Sequence, residues 1–133
     1  QEQAIEFFHG YTYSGHPAAA AAGIASLDIY EEEGLYQRAN DMASVLADAV
    51  HSLKGSPHVI DIRNIGMMAA VELLPREGEP TLRAFDVFRR CFDAGVLIRT
   101  AGDALVLTPP LIIDSSQIDQ IVTTIHHALE AVD

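Results

Sequence analysis

Residues 9–17, HGYTYSGHP, collect hydroxyl groups, glycines and two histidines, His9 and His16, and carry no formal charge when the histidines are neutral. A hydroxyl-rich loop that enters a helix N-terminus presents free backbone N–H groups and the positive end of the helix dipole, an arrangement that binds anions. The glycine spacing matches neither a P-loop nor a dinucleotide-binding motif. On the residues alone, a phosphate site and a purely structural turn both stay open.

Arg99 is the charged residue with the clearest chemical use. It ends the apolar run GVLIR, which predicts a strand, and a glycine-containing turn follows at residues 101–103. A guanidinium group on a rigid strand can hold a carboxylate through two parallel hydrogen bonds, which a lysine cannot reproduce. The alternative is a strand-end arginine that reaches into solvent.

The remaining nucleophilic and metal-binding residue types do not form a site. His126 and His127 are adjacent on a predicted helix and point about 100° apart, so they cannot chelate one metal comfortably. No spacing in the chain matches a zinc site, and we expect His9 and His16 to shape the loop rather than to bind a metal. Cys91 lies in the helical pattern FRRCFDAG and is interpreted as a small buried hydrophobic residue. We predict no catalytic residue and no metal site.

Composition and charge argue against several classes of partner. The chain has 133 residues and a formal net charge of -11, which disfavours nucleic acid and anionic membrane surfaces. Residues 7–27 carry no formal charge, but their alanine, glycine, serine, tyrosine, histidine and proline are too polar for a membrane span.

A single cysteine fits a reducing compartment, so we expect a cytoplasmic protein. Because residue 1 is glutamine rather than methionine, we interpret the chain as a piece of a longer protein.

Helical periodicity marks four segments. The first is alanine-rich, starts after Pro17 and stops at Gly34. Because its first half offers only methyl groups, we expect it to pack against something that this chain does not contain. The second carries an apolar stripe at steps of four and three residues from Leu35 onwards. The third, capped by Thr81 and ended by Gly95, has four large apolar residues on one face: Leu82, Phe85, Phe88 and Phe92.

The last helix follows a capping box of Asp114 and Gln117 and has the clearest apolar stripe of the chain. The segment VIDIRNIGMMAAVELL alternates like two short strands that meet near Asn64 and Gly66, as an antiparallel hairpin or a bulged bend. VLIRT and ALVLTPP are also strand-like, and the turn at residues 101–103 separates them. This order predicts an α+β domain with a small, mostly antiparallel sheet of about four strands packed by helices, preceded by a long linking helix.

Three motifs, in this order, resemble class III pyridoxal-phosphate-dependent aminotransferases. HGYTYSGHPAAAAAGIASLDIYEEEGL resembles the stretch that joins the large domain of those enzymes to their C-terminal small domain. IRNIGMMAAVEL resembles a strand pair of the family, and AGVLIRTAGDALVLTPPLIID resembles its ending. The resemblance runs from Phe7 to the C-terminus, and GYTYSGHP and IRTAGD bring it closest to omega-amino acid–pyruvate transaminases.

The resemblance implies a fold, a cofactor and two binding residues. The chain would be the C-terminal part of a fold-type I enzyme, with residues 1–34 as the interdomain loop and alanine-rich linking helix and residues 35–133 as the small domain. The loop HGYTYSGHP would reach across a homodimer, where Thr12 binds the phosphate of the neighbouring subunit's pyridoxal 5'-phosphate. Arg99 matches the arginine that binds the substrate carboxylate. The parent enzyme would move an amino group from an omega-amino acid or an amine to pyruvate or another keto acid.

One departure from the family limits what the chain alone can do. These enzymes need a lysine that forms a Schiff base with the cofactor, and the only lysine here is Lys54, in the helix-ending segment LKGSP. The resemblance places the family's lysine in the large domain, upstream of this chain. We therefore expect the chain alone to be inactive and not to retain the cofactor. The alternatives are a binding or assembly module that keeps the fold without the reaction, and a structural α+β domain whose motifs survive only as packing.

Overall fold

The computed structural model describes residues 10–133, so His9 and its expected role lie outside the described residues. The chain divides after Gly34 into two compact units. In the first, a turn at residues 12–15 leads into helix α1 (Pro17–Glu32). Pro17 starts the helix as predicted, because its missing N–H would have no helical partner there. Gly34 follows the end of the helix with a φ of +61°, a conformation that favours glycine.

The second unit, Leu35–Asp133, is an antiparallel sheet packed by helices, which confirms the predicted α+β class. Its elements in chain order are α2 (Leu35–His51), β1 (Val59–Ile65), β2 (Met68–Leu73), α3 (Leu82–Asp93), β3 (Arg99–Ala101), β4 (Ala104–Leu107) and α4 (Ser115–Glu130). The strand order is β1-β2-β4-β3, so β1 and β3 are the edges of the sheet. The two strands predicted to meet near Gly66 do so, and of the two alternatives they form the antiparallel hairpin of β1 and β2.

The core of the second unit lies between the sheet and the helices. Ala69, Val71 and Leu73 of β2 are buried while the residues between them are more exposed, as expected for a strand that is covered on one face. The helices α2 and α4 bury apolar residues against them: Leu46, Val50, Ile118, Val122, Ile125 and Leu129. The apolar stripe predicted for the last helix is therefore its buried face.

The N-terminus of α4 has the predicted capping box. A side-chain oxygen of Asp114 accepts a hydrogen bond from the Gln117 N–H at 2.9 Å, and the Gln117 side chain accepts one from the Asp114 N–H at 3.1 Å. The Ser116 hydroxyl donates to the same carboxylate at 2.7 Å. The hydrogen bonds that the carboxylate accepts, that of the Ser116 hydroxyl first and that of the Gln117 N–H next, lower the pKa of Asp114. The helix therefore starts at a fixed point, directly after the loop at residues 108–113.

Helix α3 turns only part of its aromatic face towards the core. Its buried residues are mostly small: Arg83, Ala84, Val87 and Cys91. Phe85 and Phe92 are 47% and 60% exposed, and their rings stack on that of Phe88 at centroid distances of 5.8 and 6.3 Å. Small side chains let the helix approach the sheet closely, and of the three aromatic side chains only that of Phe88 is half-buried and packs against the core.

Two predicted details around α3 need correction. Thr81 occupies the predicted N-cap position, but its side chain makes no capping hydrogen bond; it has a φ of +72°, and its N–H donates to the carboxylate of Asp103 at 2.7 Å. Arg99 starts β3 instead of ending a longer strand, because pairing with β4 begins only at this residue. Val96 and Ile98, which precede it, are buried. Their apolar character reflects packing in the core rather than membership of a strand.

Arg83 is a buried charged residue that the sequence pattern did not reveal. Its Nη1 donates to the main-chain oxygen of Leu74, and its Nε donates to that of Asp133 at 2.9 Å.

We predict that Arg83→Met lowers the free energy of unfolding by about 2 kcal/mol, because the carbonyl groups lose a charged donor while the apolar stem is kept. Urea denaturation measures the change. Arg90→Met, at an exposed position of the same helix, is the control; equal stability of the two variants would contradict the prediction.

Candidate functional site

Thr12 lies in an exposed turn that directly precedes α1. The N–H groups of Ser14 and His16 donate to carbonyls three residues earlier, at 3.1 and 3.2 Å, and so close two turns within residues 11–16. The Nδ1 of His16 accepts a hydrogen bond from the Ala19 N–H at 3.4 Å and caps the helix. The prediction that His16 shapes the loop is thereby confirmed.

The turn has the chemistry of an anion site. Residues 10–16 are all exposed, including the hydroxyl-bearing Thr12 and Ser14. The positive end of the α1 dipole follows directly at Pro17. The sequence contains no aspartate or glutamate between residues 10 and 27 that would repel an anion. Because the N–H groups of Ser14, His16 and Ala19 are bonded within the turn and the cap, the donors suited to a phosphate group are the two exposed hydroxyls.

Arg99 lies at the start of an edge strand, where its backbone pairs with Val106 of β4. It is exposed, and within residues 10–133 its guanidinium group has no hydrogen-bond or ion-pair partner. Four other arginines each hold main-chain or carboxylate oxygens: Arg38, Arg63, Arg76 and Arg83. Arg99 is therefore a cation on a regular strand, and the N–H donors of its guanidinium group are available to a carboxylate.

An apolar cavity of about 610 Å³ lies beside Arg99 in the second unit. Phe85 and Phe88 of α3 form part of its wall, and Pro109 and Pro110 of the loop after β4 form another part. A cation at the border of an apolar cavity suits a small molecule that carries a carboxylate next to an apolar group.

Lys54 does not belong to this site. It is exposed in the turns after α2, where its N–H donates to the His51 carbonyl at 3.1 Å, in keeping with the predicted helix-ending position. That segment leads into β1, whereas Arg99 lies on β3, at the opposite edge of the sheet. The fold therefore brings no lysine of this chain to Arg99.

The cysteine and the C-terminal histidines do not add to the site. Cys91 is fully buried, and burial raises the pKa of its thiol to about 11, so the nucleophilic thiolate is nearly absent at neutral pH. His127 is exposed, whereas ring nitrogens of His126 lie 3.2 Å from the Ser56 hydroxyl and 3.5 Å from the Glu130 carboxylate.

Between residues 10 and 133, no three His, Cys, Asp or Glu side chains are grouped so that they could hold a metal ion. The helices described in that range are too short or too polar to cross a membrane.

Arg38 of α2 is a second residue that the sequence pattern did not reveal. Its Nε donates to the Leu111 carbonyl at 3.1 Å, and its Nη2 donates to the carbonyls of Ile112 and Ile113 at 3.2 and 2.6 Å. These acceptors lie 73 to 75 positions away in the sequence, so no local motif indicates the contact.

Comparisons with known proteins agree on one family. Residues 1–129 match the family model described as aminotransferase class-III. An omega-aminotransferase of Caulobacter vibrioides is 52% identical over 129 residues, which are 97% of this chain and 29% of that protein. An omega-amino acid–pyruvate aminotransferase of Pseudomonas putida is 43% identical over 81% of this chain and 24% of its own length. A thermostable omega transaminase mutant from Pseudomonas jessenii superposes with a TM-score of 0.85 at 32% identity, over 94% of this chain and 29% of its own. The chain thus spans less than a third of the length of each of these relatives.

Proposed function

Because the chain belongs to the class-III aminotransferase family, we propose that it is the C-terminal domain of a pyridoxal-phosphate-dependent transaminase. The proposed enzyme transfers an amino group from an omega-amino acid or an amine to pyruvate or another keto acid. The names of the relatives support this donor class. The observation that carries the proposal is the guanidinium group of Arg99, which lies beside an apolar cavity and has no partner in the described part of the chain.

The two parts of the chain have different roles in the proposed enzyme. Residues 1–34 form the interdomain loop and the linking helix, and residues 35–133 form the small domain. The alanines at residues 18–22 of α1 are exposed and present only methyl groups, which lets another backbone approach closely. We expect the large domain, which this chain does not contain, to cover this helix and to supply the catalytic lysine.

Thr12 is the proposed contact to the cofactor. Enzymes of this class use pyridoxal phosphate, which when bound supplies the electron sink for moving an amino group. The exposed Thr12 hydroxyl and the N-terminus of α1 fit its phosphate group, because they offer donors and a positive dipole without a nearby acidic residue in the sequence. In the proposed homodimer, this turn reaches the cofactor of the neighbouring subunit, so each site needs two chains.

Arg99 is the proposed contact to the substrate. Its guanidinium group can bind the carboxylate of an amino-acid donor, or of the keto acid, through two parallel hydrogen bonds. Because pairing with β4 fixes its backbone, the bound carboxylate, and with it the carbon that carries the amino group, is held in one orientation. The apolar wall beside it keeps water away from the rest of the substrate.

Amino transfer by the full-length protein tests the proposal. We expect it to form alanine from pyruvate when pyridoxal phosphate and either β-alanine or an arylalkylamine are supplied, as measured by chromatography. The carboxylate-free amine is included because its own half-reaction offers Arg99 no carboxylate to bind. A folded protein with bound cofactor that aminates neither pyruvate nor glyoxylate nor 2-oxoglutarate from either donor would contradict the proposed reaction. It would favour the binding or assembly module instead.

A further inference from the structure

The loop between β4 and α4, residues 108–113, forms a wall of the cavity beside Arg99. Pro109 and Pro110 line that cavity. Farther along the loop, Ile112 and Ile113 border a second hollow of about 450 Å³. The position of this short irregular segment therefore affects the shape of both spaces.

The loop depends on contacts from elsewhere to hold its backbone. Its two prolines have no N–H to donate, and the hydrogen bond from the Ile113 N–H to the Pro110 carbonyl, at 3.0 Å, closes a single turn. The side chain of Ile113 is buried, but that of Ile112 is 65% exposed. The carbonyls of residues 111–113 accept their side-chain hydrogen bonds from another part of the chain.

Arg38 supplies these donors. Its guanidinium group, which is partly buried, bonds to all three carbonyls at 2.6 to 3.2 Å. The residue is held on α2, which packs against α4 and the first two strands, so the contact joins the loop to a rigid element. Arginine suits this role because its planar group presents five donors in a fixed geometry, whereas lysine has a compact ammonium group on a flexible stem.

We propose that Arg38 is a positioning residue that holds the proline wall at a fixed distance from Arg99. Through this wall it sets how large an apolar group can lie next to the carboxylate that Arg99 binds. Arg38 does not line the cavity and therefore acts through the loop. The inference rests on the proposed function, because it takes Arg99 as the carboxylate contact.

Hydrogen exchange of the 133-residue chain measures directly whether Arg38 stabilises the backbone of the loop. In Arg38→Met, which removes the donors and keeps the apolar stem, we expect the Ile113 amide to exchange about tenfold faster, because the loop opens more often. The amide of Ile125, in the middle of α4, should change by less than about twofold. Arg38→Lys should lie between wild type and Arg38→Met, and Arg90→Met, at an exposed site, should match wild type.

Steady-state kinetics of the full-length enzyme test the effect on specificity. β-Alanine and 3-amino-3-phenylpropionate form a matched pair of donors, because both carry a carboxylate and only the second adds an aromatic ring. In Arg38→Met we expect the ratio of their kcat/KM values to change by about fivefold, mainly through KM, since a displaced wall alters positioning rather than chemistry. Arg83→Met is expected to lower stability and controls for that loss, because Arg83 bonds to Leu74 and Asp133 and lines neither hollow.

The outcomes separate this inference from the proposed function. An active enzyme with an unchanged donor ratio in Arg38→Met, or an unchanged exchange rate at Ile113, would overturn the inference alone. The same shift of the ratio in Arg83→Met as in Arg38→Met would also overturn it, because loss of stability would then explain both. A wild-type enzyme inactive with both donors would overturn the proposed function, and the specificity role with it.

Discussion

The 133-residue chain alone is expected to form no alanine from pyruvate above the rate that free pyridoxal phosphate supports. Enzymes typically accelerate reactions by about a millionfold or more, and in enzymes of this class a lysine that binds the cofactor covalently is part of that machinery. Lys54 is the only lysine of the sequence. Without the proposed large domain, the activity should therefore fall to the background.

Lys54 is poorly placed to substitute for a catalytic lysine. It is exposed in the segment that leads into β1, whereas Arg99 starts β3 at the other edge of the sheet. Three strand spacings separate these edges, about 14 Å in all. A substrate carboxylate held by Arg99 would therefore lie far from a cofactor attached to Lys54.

The measurement compares four samples: the wild-type chain, its Lys54→Arg variant, pyridoxal phosphate without protein, and the full-length protein. Alanine formation reports turnover, and borohydride reduction followed by peptide mass mapping reports any covalent adduct. We expect only the full-length protein to exceed the cofactor alone. Turnover by the wild-type chain that disappears in Lys54→Arg, with the adduct located on Lys54, would overturn this expectation.

Much of the fold follows from rules that act over a few residues. The capping box of Asp114 and Gln117 fixes the start of α4, and regular apolar spacing identifies its buried face. The β1–β2 hairpin follows from two alternating segments around Gly66, whose φ of +52° favours glycine. These features could be predicted because their partners are close in the sequence.

The buried face of α3 could not be predicted in this way. Periodicity shows which residues share a face of a helix but not which face meets the sheet. Val87 and Cys91, which are small, permit close packing and are buried, whereas Phe85 and Phe92 are exposed. This choice depends on the fit between the helix and the sheet, which is a tertiary property.

The candidate site could be predicted only in part. Arg99 stood out because it ends an apolar run and precedes a glycine-containing turn, and Thr12 was identified through the family resemblance. Arg38 and Arg83 were missed because both donate to main-chain carbonyls of residues distant in the sequence. Every residue has such a carbonyl, so these acceptors leave no signature in the sequence.

Replacing Arg99 by alanine in the full-length enzyme is expected to separate donors that carry a carboxylate from plain amines. The variant removes a pair of charge-assisted hydrogen bonds, which contributes about 1.5–3 kcal/mol to binding. That loss corresponds to about one to two orders of magnitude in kcat/KM for an amino-acid donor. An arylalkylamine offers Arg99 no carboxylate, so its kcat/KM in the amine half-reaction should remain nearly unchanged.

Two further variants show whether the effect belongs to carboxylate binding. Arg99→Lys keeps the charge but loses the planar pair of donors, so it should recover only part of the activity with the amino-acid donor. Thr12→Ala should weaken cofactor retention, measured by dialysis and absorbance, and should lower activity with both donors alike, because the phosphate contact does not depend on the donor. If Arg99→Ala lowers activity equally with both donors, Arg99 supports the sheet rather than binding carboxylates. The substrate-binding assignment of Arg99 would then be wrong, even if the enzyme is a transaminase.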